Sequence, residues 1–327
     1  MIPLNAMGRV IALALIASAA FQWPGPPPAP PDHKQDYVIS REVDLVMLPV
    51  TVTNKQGQFV SGLAASNFRV YENGRLQPIA NFQSEDLPVT VGMIVDHSGS
   101  MIARRDEVIA GAMAFVEASN PENEEFVINF ADRPILALPE NVAFTHDPGQ
   151  LEAALLGPYA RGRTALHDAV IDALQHLVSH PASKKVLILI SDGGDNASRH
   201  TFAQALQMAQ AGNVTIYSVG LLDPYSADQN PKVLQLLAKE TGGLAYFPSM
   251  PGEVVSVCRQ IAQDIRHQYT IAYTPAEDRN GEYRKIRVNA FAARQGKLQV
   301  RTRTGYYWHS QRSAGTNTTV LTHDQQQ

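Results

Sequence analysis

The run Val91–Met101, VGMIVDHSGSM, constrains this chain more than any other stretch. Four of the five residues before Asp96 are apolar, as in a central strand covered on both faces. The apolar run then stops in Asp96, Ser98 and Ser100, three oxygen-bearing side chains at alternate positions in a turn containing Gly99. A helix-like run follows. In open α/β sheets, ligands bind just beyond the carboxyl ends of strands, so the turn is a candidate site.

The sequence after this turn continues the same alternation. Strands are expected at Val89–Val95, Glu125–Phe130, Lys184–Ile190 and Val214–Val219, with helices between them. The clearest helix is Ala165–Ser179, where Leu166, Ala169, Val170, Ala173, Leu174, Leu177 and Val178 recur at 3–4 spacing. Gly252–Arg266 repeats the pattern with Val254, Val257, Cys258, Ile261, Ala262 and Ile265. The expected fold is α/β, a Rossmann-like, doubly wound and mostly parallel sheet. Cys258 is the only cysteine, so no intramolecular disulfide is possible. Its place on a core-facing stripe predicts a buried, inert thiol.

The flanking segments read differently. Residues 1–20 carry Arg9, the apolar run Val10–Ala20 and the small residues Ala17-Ser18-Ala19, the pattern of a secretory signal peptide. The expected location is therefore periplasmic or extracellular. An uncleaved segment would leave a tether, the one membrane contact the sequence suggests. Residues 21–36 hold the proline-rich WPGPPPAPPD, an extended spacer. Residues 37–87 look all-β, with turns at Asn54–Gly57 and Glu72-Asn73-Gly74, the latter suited to a type I′ hairpin. Residues 88–267 are the α/β domain. Residues 268–308 return to β, with a turn at Asp278–Gly281, and are expected to pair with 37–87 in a small β-sandwich. Residues 309–327 are polar and expected to be disordered. The net charge of −4 offers no electrostatic case for nucleic acid.

Three loops supply oxygen ligands: Asp96–Ser100, Gly162–Leu166 at the head of the clearest helix, and Ile190–Asp195 after the next strand. Loops after parallel strands collect at one sheet edge. Carboxylates and hydroxyls gathered there suit Mg²⁺, with Ca²⁺ or Mn²⁺ possible from the same ligand types, rather than zinc. The competing reading of Asp96, Ser98 and Ser100 is a helix N-cap in a solvated turn. Ser98 also invites comparison with a hydrolase nucleophile elbow. That elbow needs glycine two residues to either side, where this chain has Asp96 and Ser100. His97 and His167 are expected beside the site rather than in it, and Asp195 as a loop carboxylate. Arg104–Glu107 reads as a solvated helix start, and Tyr306-Tyr307-Trp308 as edge-strand packing.

The run D-x-S-x-S, a later Thr opening a helix and an Asp after the following strand resemble the metal-ion-dependent adhesion site of von Willebrand factor A domains. Here these are Asp96, Ser98, Ser100, Thr164 and Asp192. The run GRTALHD at 162–168 is similar to the GGTALYD form of bacterial members, with Arg163 for Gly and His167 for Tyr. The flanks are similar to exported bacterial proteins of the related type, so the resemblance spans about Asp44–Tyr307. It implies a non-enzymatic binding module in which Ser98 and Ser100 bind one divalent cation directly. Asp96, Thr164 and Asp192 would bind it directly or through water, and an Asp or Glu of a protein or peptide partner would complete the shell. It also matches Gly252–Arg266 to a helix that shifts in some relatives. The alternatives are a hydrolase using Ser98 or the metal, and a scaffold whose metal is structural.

Overall fold

The computed structural model describes residues 45–157, 162–178, 180, 184–223, 228–250, 252–275, 281–293 and 296–308. The signal-like segment, the proline-rich spacer, most of the 278–281 turn and the polar tail lie outside the described residues.

The chain opens with four strands, β1 (Val46–Thr53), β2 (Phe68–Glu72), β3 (Arg75–Gln77) and β4 (Asn81–Gln83). The α/β part follows: β5 (Thr90–Asp96), a 3₁₀ turn at Gly99–Arg104, α1 (Arg105–Ala118), β6 (Glu124–Phe130), β7 (Pro134–Leu136), α2 (Pro148–Leu155), α3 (Leu166–Val178) and β8 (Lys185–Ser191). It continues through α4 (Phe202–Ala211), β9 (Val214–Gly220), α5 (Pro231–Thr241), β10 (Ala245–Tyr246) and α6 (Glu253–Arg266). The last strands are β11 (Tyr269–Tyr273), β12 (Tyr283–Ala290), β13 (Gln299–Arg301) and β14 (Gly305–Tyr307).

The central sheet has the order β10-β9-β8-β5-β6-β7. Its first five strands are parallel, and β7 folds back antiparallel on β6 at the edge. All seven residues of β5 are buried, as its apolar run requires. The chain leaves β5 toward β6 on one side and later returns to β8 on the other. The carboxyl end of β5 is therefore the point where the strand order reverses, the usual place for a ligand in an open α/β sheet. The register pairs Asp96 with Phe130 and Val95 with Ile190, so Asp96 ends level with Ser191.

Helices cover the sheet with the stripes the sequence predicts. α3 buries Leu166, Ala169, Val170, Ala173, Leu174 and Leu177. Val178, expected on that stripe, is 70 % exposed because it is the last residue of the helix. α6 buries Val254, Cys258, Ile261, Ala262 and Ile265, and burial pushes the Cys258 thiol up to about 12. The shorter helices have local start signals. Asp147 accepts from the Gly149 amide at 2.8 Å ahead of α2, and Thr201 and Gln204 form a capping box on α4.

The flanking strands make two antiparallel sheets, β13-β1-β11-β4 and β14-β12-β2-β3. Each mixes strands from before and after the α/β part: β1 pairs with β11 and β13, and β2 with β12. Leu48, Val50, Phe68, Val70, Ile271 and Val288 lie in the core between them. Asn73 and Gly74 both take positive φ, 47° and 82°, as the type I′ turn between β2 and β3 requires. Tyr306 and Trp308 are buried in this core, in keeping with a packing role.

Candidate metal site

The site is built from β5 upward. Asp96 is fully buried at the strand end. Its Oδ1 accepts the Ser98 amide at 2.9 Å, and its Oδ2 accepts the Ser191 hydroxyl from the neighbouring β8 at 2.7 Å. The Ser191 hydroxyl in turn accepts the Gly193 amide at 3.0 Å. Burial pushes the Asp96 carboxyl up to about 6. The hydrogen bonds from Ser98 and Ser191 pull it down, and the nearby charge of Asp192 adds to the rise. The described residues place no salt-bridging cation on Asp96. Asp192 is buried, with Oδ1 accepting the Gly194 amide at 2.9 Å.

Ser98 is the residue before the 3₁₀ turn, yet its hydroxyl caps no backbone amide. Its oxygen lies 3.2 Å from that of Ser100. The simple N-cap reading therefore accounts for neither serine hydroxyl, and the Asp96 contact with the Ser98 amide is a local turn rather than a helix cap. Ser98 is buried and Ser100 exposed, so the turn runs from the strand end to solvent.

The second loop packs against the other two. A Cβ placed on Gly99 would stand 4.0 Å from the Gly162 carbonyl, which puts the first two loops in contact. Ala165 donates to Ala131 O at 2.8 Å, tying the head of α3 to the end of β6. Thr164 is buried; its amide donates to Asn196 Oδ1 at 2.9 Å, and its carbonyl accepts the Asn196 and Ala197 amides at 2.9 and 3.0 Å. Gly162 leaves room for the Asp132 carboxylate, which a Cβ there would meet at 2.3 Å and push aside. Gly193 takes φ +83°, and a Cβ would meet Asn230 O at 2.4 Å.

All five expected ligands thus come from loops fastened together at one edge of the sheet. Asp195 has another task. Its Oδ2 accepts the His167 amide at 2.9 Å and the Ser198 hydroxyl at 2.5 Å, and lies 3.2 Å from His167 Nδ1. It holds the third loop to α3, as a loop carboxylate would. Two residues that sequence reasoning passed over, Ser191 and Asn196, orient Asp96 and Thr164. Their only sequence signal is adjacency to Asp192 and the polar run SDGGDNAS.

The donor set fits a hard cation by chemistry: two carboxylates and three hydroxyls, with no thiolate or imidazole among them. Among the described residues no three His, Cys, Asp or Glu side chains gather into a metal-holding group, so any ion here depends on the hydroxyls.

A family model for the von Willebrand factor type A domain matches residues 90–247, from β5 through β10. The chain carries a von Willebrand factor type A domain. Similar solved structures include a von Willebrand factor type A protein from Catenulispora acidiphila, 16 % identical over 86 % of this chain and 78 % of that one, with a TM-score of 0.49. Another is the vWF domain of the type V pili tip protein Mfa5 from Porphyromonas gingivalis, 16 % identical over 55 % and 95 %, TM-score 0.46. A third is proximal thread matrix protein 1 from the mussel byssus, with a zinc-occupied MIDAS motif, 16 % identical over 60 % and 50 %, TM-score 0.48. No curated protein matches the sequence. The matched VWA segment contains all three loops, whereas β1–β4 and β11–β14 lie outside it.

Proposed function

We propose that this chain is an exported, non-enzymatic, metal-dependent binding module. Asp96, Ser98, Ser100, Thr164 and Asp192 hold one divalent cation, Mg²⁺ by preference, and an Asp or Glu of a protein or peptide partner completes the shell. The observation that carries the reading is the buried Asp96, fixed by Ser98 and Ser191 beside a second carboxylate. Two neighbouring carboxylates repel each other, and a cation between them offsets that repulsion. A hard divalent ion, when bound, supplies a strong oxygen-directed contact for a carboxylate from outside.

The chain's own residues do the rest. Ser191 and the Ser98 amide hold Asp96 in one orientation, Asn196 does the same for the Thr164 backbone, and exposed Ser100 marks the open side. Preorganised oxygens of this kind lose little freedom on binding. Export rests on the signal-like residues 1–20, followed by the spacer at 21–36. Among the described residues no helix is long and apolar enough to cross a membrane.

Calorimetric titration of the full chain tests the site. One Mg²⁺ or Mn²⁺ per chain should bind wild type and fail to bind the folded Asp96→Ala/Ser98→Ala variant. Equal binding to both would sink the assignment. Partner capture that survives EDTA would instead make the metal structural.

A further inference from the structure

The rim of the candidate site is charged unevenly. On the β9 side, Asp223 and Asp228 are exposed. A Cβ on Gly194 would lie 2.8 Å from the Asp228 carbonyl, so Asp228 abuts the loop that carries Asp192. On the β6 side, Arg133 and Arg163 are exposed. Arg163 stands one residue before Thr164. Its side chain is 70 % exposed, and its nearest carboxylate, that of Asp132, lies 3.6 Å away and is 56 % exposed itself. That spacing and exposure make a weak, solvent-screened pair, easily exchanged for another carboxylate.

Arg163 is held at its backbone and exposed at its side chain. The Arg163 amide donates to Asp132 Oδ1 at 2.9 Å, and the next two amides, of Thr164 and Ala165, are both bonded to other loops. A guanidinium is thus mounted on a fixed loop beside a buried ligand candidate. The same side opens into a cavity of about 160 Å³ lined by Phe130, Ala131 and exposed Ile135 together with polar residues that include Asp132 and Arg133. Its apolar wall, Phe130, Ala131 and Ile135, can take one apolar side chain of a polypeptide, a contact that a small anion cannot make.

Building on the metal-binding reading above, we propose that the partner lies across the β6–β7 side of the site and presents two acidic groups. One is directed to the metal, and the second pairs with Arg163, supported by Arg133. The acidic Asp228 disfavours a second acid on the opposite side and so sets the direction of the partner chain. Arg163 is a specificity-determining residue, and its replacement leaves the five ligand side chains in place.

The test is selection of peptides from a random display library by the full chain in Mg²⁺ buffer, with an EDTA arm. Wild type should enrich metal-dependent peptides carrying two acids and an apolar residue. For a selected peptide, Arg163→Gln should weaken binding by about two- to fivefold, with Arg163→Glu weaker again and Arg163→Lys partly restored. Mg²⁺ affinity measured by calorimetry should stay constant across these variants. Peptides with a single acid, binding indifferent to Arg163→Glu, or no enriched acidic peptide on a chain that binds Mg²⁺ would each overturn this inference and spare the metal site. Failure of wild type to bind Mg²⁺ would overturn the underlying reading instead.

Discussion

Two aspartates on opposite sides of this domain are almost equally buried and live in opposite company. Asp264, on α6, accepts the Thr51 hydroxyl from β1 at 2.9 Å and the Tyr217 hydroxyl from β9 at 2.8 Å, and it pairs closely with Arg301 of β13. Arg301 also reaches the Gly242 carbonyl and Thr51. Asp96 has hydroxyl and amide donors but no salt-bridging cation among the described residues. The protein supplies the counter-charge where the carboxylate binds parts of the fold together, and leaves it out where the carboxylate faces a solvent-opening turn. The first arrangement fastens the α/β domain to the sandwich. The second is the arrangement in which the proposed metal ion would supply the missing charge.

A third buried acid shows what happens with neither arrangement. Glu125, at the start of β6, is buried without a salt bridge among the described residues, and burial alone pushes its carboxyl up to about 8. It is protonated at neutral pH, so it costs no buried charge there. Asp96 escapes this fate because oriented donors surround it.

The largest effect should come from breaking the compensated pair. Asp264→Ala or Arg301→Ala leaves one charge buried and unpaired, and chemical denaturation should show a loss of about 3–5 kcal/mol. Mg²⁺ binding by the fraction that stays folded should be unchanged. A loss below about 1 kcal/mol would show that Asp264 is not a fastening.

Glu125 sharpens the contrast through pH. Its folded value near 8 exceeds its ordinary 4.5, so the unfolded chain releases this proton first as pH rises. Its contribution is fully present below about pH 4.5, is lost between there and about pH 8, and is level above. Glu125→Gln should flatten that slope and raise stability at pH 8 by a few kcal/mol, read from urea midpoints across pH. A wild-type slope unchanged in the variant would assign it to other groups.

A smaller effect tests the uncompensated aspartate. Mg²⁺ at a hundredfold excess over its Kd should stabilise wild type by about 2.7 kcal/mol. Asp96→Asn should abolish that gain while keeping the metal-free protein at least as stable as wild type, since it removes a buried charge. Strong destabilisation of the metal-free variant would make Asp96 a structural residue like Asp264.

The smallest effect is expected at Ser191. Ser191→Ala leaves the ligand candidates intact and frees one Asp96 oxygen, so Mg²⁺ affinity should fall about tenfold. Unaltered affinity would remove Ser191 from the site.

Much of the fold was legible because the signals were local. The apolar run of β5 up to Asp96, the α3 and α6 stripes, and Asn73-Gly74 each report on backbone geometry within a few residues. The short α2 and α4 are expected only as helices somewhere between strands, because 8–10 residues hold too few turns for a decisive stripe, whereas α5 carries a stripe at Val233, Leu234, Leu237 and Ala238 that sequence reasoning passed over. In the candidate site, Asp96, Ser98, Ser100, Thr164 and Asp192 were legible as a pattern. Their supports were not: Ser191 meets Asp96 across 95 positions, and Asn196 meets Thr164 across 32.

By itself, the sequence determined the alternation of strands and helices, the oxygen-rich strand ends, and the sorting of apolar side chains to one face. These follow from side-chain period and backbone preference, which act over a few residues. Only the tertiary structure decided which buried acid receives a cation from the chain. Asp264 and Arg301 stand 37 positions apart and meet because α6 packs beside β9 while β13 pairs with β1. Among the described residues Asp96 has none, since its neighbours across the sheet, Ser191 and Phe130, offer a hydroxyl and a ring. Electrostatic compensation depends on distance in space and on burial, and neither quantity exists until the chain has folded.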